Sequence, residues 1–279
     1  MARSDVRSGL FEDDAAIRRV HGEAVLLLGG GRALLMQIAH PLVARAVSEH
    51  SSYQHDRWGR LLRTVRPMYA IIFGTADQAE AAATRVNRLH ESVRGDGYRA
   101  MDPRLLAWVL ATLIDTSLLT YERFVRSLAP AEVAAYYQDA RAAGMLLGVP
   151  RNALPGDIAG FRRYVDDQVA SIEVTDAARA IARDLFEPLP GTGPAMLLMR
   201  ELTAALLPPR LREAYGLRSG PAQRAALEVT GAINRTASAV LPPRLRRPPG
   251  FLLPPNGHTR GQVTVSGTPS RQSGQSPGS

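Results

Sequence analysis

The residues best suited to chemistry lie in two short runs, an Arg-x-x-Arg-Thr cluster (Arg60, Arg63, Thr64) and, thirty residues on, His90 followed by Arg94. If both runs are helical, Arg60, Arg63 and Thr64 sit at i, i+3 and i+4 and share one face. His90 would then lie among Val86, Val93 and Arg94 on its own helix face. An imidazole facing a guanidinium set suits a bound anionic cofactor that carries a metal. Asp115 stands inside an apolar run, where an unpaired carboxylate costs several kcal/mol or takes up a proton. It therefore calls for an arginine or hydroxyl partner, and Arg32, Arg60, Arg63 and Arg94 are the candidates.

A lone histidine on an apolar helix face is more often a hydrogen-bonded core residue than a ligand. A haem would change that balance, because its iron favours imidazole and its propionates need cationic partners such as Arg94, Arg60 and Arg63. Thr64 would add a hydroxyl, either to orient bound oxygen or water or to bond back to its own helix. His40 and His50 are further candidate ligands. The five-residue spacing of His50 and His55 is not that of a helical metal pair, so both read more simply as loop residues, with Asp56 capping the next helix.

The 279 residues allow one large domain, and 45% hydrophobic composition allows a sizeable core. Cysteine is absent, which excludes disulfides, thiolate metal sites and cysteine nucleophiles. Lysine is absent too, so all 34 basic residues are arginine and neither a P-loop lysine nor a Schiff base is available. The net charge of +8 is concentrated after Leu241, where five arginines meet no acid. A body with nearly balanced charge and no basic stripe interleaved with aromatics argues against specific nucleic-acid binding. The tail arginines instead allow weak contact with a membrane surface. No apolar leader is visible in the first residues, which makes the cytoplasm the expected compartment.

Helical spacing runs through most of the chain, and no stretch alternates with period two, so the expected fold is all-α with roughly nine or ten helices. Expected helices cover 13–28, 32–49 with a kink at His40-Pro41, 57–73, 77–94 and, after Asp102-Pro103, a central helix through Leu119. Further helices are expected from Ala129-Pro130, from Pro155 to Ile172, from Asp176 to Phe186, from Ala195 to Leu207 and from Ala222 to Val240, with proline-rich joints between them. The Gly29-Gly30-Gly31 triplet lacks the spacing and the preceding strand of a phosphate loop and reads as a helix break. The domain organisation read from these patterns is a helical domain over 12–240 and a disordered Pro/Gly/Ser/Arg-rich tail over 241–279.

The ordered succession of Gly29-Gly30-Gly31-Arg32 through His40-Pro41, Glu49-His50-Ser51, Arg60-x-x-Arg-Thr64, His90-x-x-Val93-Arg94, Asp102-Pro103 with Trp108, Asp115, and Leu147-Gly148-Val149-Pro150 resembles the MpaB and rubber oxygenase (latex clearing protein) family. The similarity covers roughly Gly22 to Val165. It implies an all-helical fold around one haem b, with His90 as the iron ligand and Arg60 and Thr64 in the haem pocket. It further implies dioxygen and a lipophilic, isoprenoid or unsaturated small molecule as reactants, with oxidative cleavage of a C=C bond. Two positions depart from the rubber oxygenases. Arg63 stands where they carry lysine, and Leu110 where many relatives carry histidine after the Trp-Val pair. A haem- or lipid-binding sensor or carrier without turnover is the alternative that these departures leave open.

Overall fold

A computed structural model describes residues 9–50, 57–187, 192–218 and 220–254, with backbone only over 57–63. The chain is all-α. It opens with α1 (Ala16–His21), a 3-10 turn (Ala24–Gly29), α2 (Gly30–Ala39) and α3 (Pro41–His50). The helix expected over 13–28 is thus split at Gly22, and its second half tightens into 3-10 geometry. At Pro41 the expected kink is a full break. His40 is extended, with φ −69° and ψ 123°, and α2 and α3 meet at 105°. Proline disfavours helical backbone in the residue before it, which explains why His40 leaves the helix.

Two helices then form an antiparallel pair, α4 (Arg57–Phe73), which continues through Pro67, and α5 (Ala76–Ser92). Thr75 starts α5 with a capping box, its hydroxyl accepting from the Gln78 amide while the Gln78 side chain accepts from the Thr75 amide. The expected helix to Arg94 stops at Ser92. Arg94–Gly95 (β1) and Tyr98–Arg99 (β2) form a two-stranded hairpin instead, with Gly97 at φ 75° in its turn. A left-handed backbone there suits glycine, and the hairpin replaces the last helical turn.

The central helix, α6 (Pro103–Phe124), begins where Asp102 accepts from the Arg104 amide at 2.8 Å. Leu106, Trp108, Ala111, Ile114, Leu118 and Phe124 are buried on several sides of it. Among the described residues it is the one helix long and apolar enough to cross a membrane, yet 67% of its apolar window is buried inside the fold. Against it pack α1, the 3-10 turn, α2, α7 (Pro130–Leu146), α8 (Ile158–Ser171) and α12 (Pro221–Val240), while α9 (Asp176–Leu185) packs on α2 and α3, α10 (Gly193–Leu206) on α2 and α12, and α11 (Pro209–Ala214) on α8, and α13 (Pro243–Arg246) follows.

The glycine triplet proves to be a packing device. A Cβ on Gly29 would meet Thr120 Oγ1 at 2.5 Å, and one on Gly31 would run into the Thr203 hydroxyl. These glycines therefore let the start of α2 sit against α6 and α10 at backbone distance.

The tail also needs correcting. Residues 243–254, read from composition as the start of a disordered segment, form α13 and a 3-10 turn (Gly250–Leu252) and dock on the body. Arg246 pairs with the buried Glu23 at 2.7 Å, and Leu252 is buried. Charge pairing across more than two hundred residues of sequence is invisible to local composition.

Candidate functional site

On α5 the residues Ala79, Ala83, Val86, Asn87 and His90 recur at helical spacing and form the inward face. Ala79 and Ala83 are buried there, and the imidazole of His90 follows about two turns after Ala83. Its Nδ1 is buried and has no hydrogen-bond partner. Desolvation pushes the ring's pKa below the ordinary histidine value, so His90 is held neutral at physiological pH. A neutral imidazole with an unengaged nitrogen is the form that binds a metal.

One turn earlier, Asn87 donates through Nδ2 to the Leu146 carbonyl at 2.9 Å, while its Oδ1 is also buried and unpartnered. The two open polar atoms, an amide oxygen and an imidazole nitrogen, share the inward face of one helix. The sequence reading passed over Asn87. The available signal was a polar residue three positions before the histidine on an otherwise apolar stripe.

The other described histidines are engaged. His40 Nδ1 accepts from the Leu42 amide at 3.2 Å and so caps the start of α3. His50 is the last residue of α3 rather than part of a loop. Its Nε2 lies 3.1 Å from the Arg94 carbonyl, and its ring meets Tyr98 edge-on. Beside it Tyr98 donates to Glu49 at 2.6 Å, and Glu49 also accepts from Arg45 at 2.8 Å. His21 stacks on Tyr136, whose hydroxyl lies 3.2 Å from its Nε2, and burial drops its pKa to about 4. His55 lies outside the described residues.

The arginines divide differently from the expectation. Arg94 leaves the His90 helix for β1, and its side chain is exposed, so it is not the helical neighbour one turn along that spacing suggested. Arg60 and Arg63 lie on α4, but their side chains are outside the described residues. Thr64 is exposed on the same helix.

Asp115 meets Arg32. The guanidinium donates to Asp115 Oδ2 and Thr116 Oγ1, both at 2.6 Å, and through Nε to the Leu206 carbonyl at 2.8 Å. Arg32 is 4% exposed, and its three acceptors come from α6 and the end of α10. This cluster ties three helices together. Trp108 adds a tie, donating from its indole to the Met36 carbonyl at 3.1 Å. Leu110 lines a separate cavity of about 220 Å³ with Gln138, Arg141, Met145, Val149 and Leu154.

Comparison with known proteins gives this arrangement its context. Residues 18–236 match the model of the family described as ER-bound oxygenase mpaB/B′ and rubber oxygenase, catalytic domain. The chain belongs to that family. Among curated proteins, uncharacterized proteins of Mycobacterium bovis and Mycobacterium tuberculosis are each 28% identical over 218 residues, covering 73% of this chain and 85% of theirs. No solved structure gives a significant match. The family match runs from within α1 to within α12.

For a haem, the described residues fit at the iron ligand. His90 offers an imidazole held neutral, with a buried Nδ1 that has no hydrogen-bond partner, and no cluster of three or more His, Asp or Glu suited to a metal occurs among the described residues to compete for it. Arg94 would approach a propionate from β1 rather than from the helix of His90. Partners from α4, at Arg60 and Arg63, lie beyond the described side chains.

Proposed function

We propose that this member of the mpaB and rubber oxygenase family is a haem-b-dependent oxygenase that uses dioxygen on a lipophilic, unsaturated or isoprenoid small molecule. The reading rests on the family match together with the one observation that singles out a ligand, the buried Nδ1 of His90 without a partner. When bound, haem supplies an iron centre for dioxygen activation inside an apolar pocket. His90 anchors that group from the inward face of α5. The capping box at Thr75 and the hairpin after Ser92 hold both ends of the helix and so fix the ring's position. Arg60 and Arg63 supply permanent positive charge for the propionates, and Thr64 supplies a hydroxyl on the same helix. Arg63 cannot lose its proton as a lysine can, so it does not act as a nitrogen ligand to iron and serves through charge alone. Oxidative cleavage of an alkene into two carbonyl fragments takes up both atoms of one dioxygen, so the electron balance closes without an external reductant.

The test is spectral and then kinetic. Protein reconstituted with haem is expected to give a Soret band that His90→Ala shifts or abolishes, while His40→Ala and His50→Ala keep it. A band unchanged in His90→Ala sinks the assignment. Oxygen uptake on an isoprenoid panel follows. Haem binding through His90 without uptake on any member would favour a sensor or carrier over an oxygenase.

A further inference from the structure

The segment that closes the described fold has two unlike sides. Three residues face inward. Arg246 holds the buried Glu23, Pro248 is buried, and Leu252 is 5% exposed in the core. Arg66 of α4 also donates to the Phe251 carbonyl at 3.2 Å, which fixes the backbone of the 3-10 turn. Four large apolar side chains turn outward. Val240 is 75%, Leu245 64% and Phe251 63% exposed, and Leu241 is exposed beside them.

Four exposed large apolar residues within twelve positions are not explained by packing, since the same segment buries other residues well. Their neighbours Arg244 and Arg247 are exposed and have no acidic partner among the described residues. No acid occurs anywhere from Leu241 to Ser279, and Arg260 and Arg271 add charge of the same sign.

We infer that this docked segment is an interfacial foot that sets the protein on an anionic lipid surface, with Leu245 and Phe251 entering the acyl boundary and Arg244 and Arg247 meeting the headgroups. Apolar side chains flanked by arginine are what such a boundary accepts. The charge chooses anionic over neutral lipid, and the side chains give the binding its apolar share. A second copy of the chain would present the same arginines and no acids to oppose them. The foot is tied through Arg66 to α4, the helix that carries Arg60, Arg63 and Thr64. Seating the protein would therefore bring the candidate site close to where lipophilic molecules dissolve. Lipid binding itself needs no haem and stands or falls apart from the proposed activity.

The experiment is vesicle flotation with the full chain, on phosphatidylcholine vesicles with and without phosphatidylserine. Binding is expected only with phosphatidylserine, and it should fall steeply as salt shortens the Debye length. Leu245→Ser and Phe251→Ser should each weaken it roughly tenfold, from the apolar area each exposes. Arg244→Gln and Arg247→Gln should each weaken it about fivefold at low salt. All four side chains are exposed, so melting temperatures should hold and a lost fold is separable from lost binding. Absence of binding, equal binding to neutral vesicles, or four silent variants would each overturn the inference. So would light scattering that shows a dimer dissolved by Leu245→Ser and Phe251→Ser, which would make the foot an interface between copies.

Discussion

Breaking the Arg32–Asp115 pair should reveal how firmly the central helix is held. Replacing Asp115 with leucine leaves a guanidinium that is 4% exposed, with only Thr116 and the Leu206 carbonyl as neutral acceptors. A buried cation stripped of its counter-charge costs about 3 kcal/mol or somewhat more. Replacing Arg32 with methionine has a milder effect, because the Asp115 side chain is 27% exposed and water reaches the stranded carboxylate. About 2 to 3 kcal/mol is expected there, including the lost bonds to Thr116 and Leu206. The double variant removes both charges and replaces them with apolar volume. It should lose only about 3 kcal/mol, against the roughly 5 to 6 that independent effects would sum to. In thermal melts each kcal/mol moves the midpoint of a domain this size by roughly 2 to 4 °C, so the single Asp115 variant should melt about 6 to 12 °C low. Urea melts of the four proteins give the cycle directly. A double variant equal to the sum of the singles within about 0.5 kcal/mol would refute the claim that the pair acts as a unit.

Other perturbations probe different parts of the fold. Gly31→Ala should destabilise by about 1 to 3 kcal/mol, since its Cβ would run into the Thr203 hydroxyl, and Thr203→Ala should recover part of that loss in chemical melts. Gly148→Ala places a side chain at φ 83° and 2.9 Å from Met101 Cε, and should cost about 1 to 2 kcal/mol. The His21 ring, with its pKa lowered to about 4 in the fold, binds fewer protons folded than unfolded at any pH between there and about 6.5. Stability should therefore decline as pH falls through that window, by up to about 3 kcal/mol, and His21→Phe should flatten the decline in urea melts across pH. His40 and His90 are also lowered by burial and add in the same direction.

Much of the body was legible because its signals are local. Arg57–Phe73 and the Asp102-Pro103 opening of α6 follow from helical spacing and from cap-then-proline order. The need for a partner at Asp115 follows from its apolar surroundings, though choosing Arg32 over three other arginines required the fold. Pro208-Pro209 and Pro242-Pro243 look like joints in the sequence but also open helices. The same residue that ends one helix suits the first turn of the next, and α11 and α13 start there. The hairpin after Ser92 leaves no trace in the sequence because each of its strands is two residues long, too short for any period to register. At the candidate site, His90 was recognisable from the family pattern. The engagement of one ring nitrogen each in His40 and His50, against the buried and unpartnered Nδ1 of His90, depends on backbone partners up to 44 positions away.

The hairpin has a mechanical consequence. His50 reaches the Arg94 carbonyl and Glu49 the Tyr98 hydroxyl, so the end of α3 is pinned to the same two strands that finish α5. His90 sits four residues before that clamp. A shift of α3 would be carried to the imidazole through a short rigid linkage, without passing through the soft side chains of the core. The register of His90 toward whatever it binds is thus set from outside its own helix, by the tail end of α3.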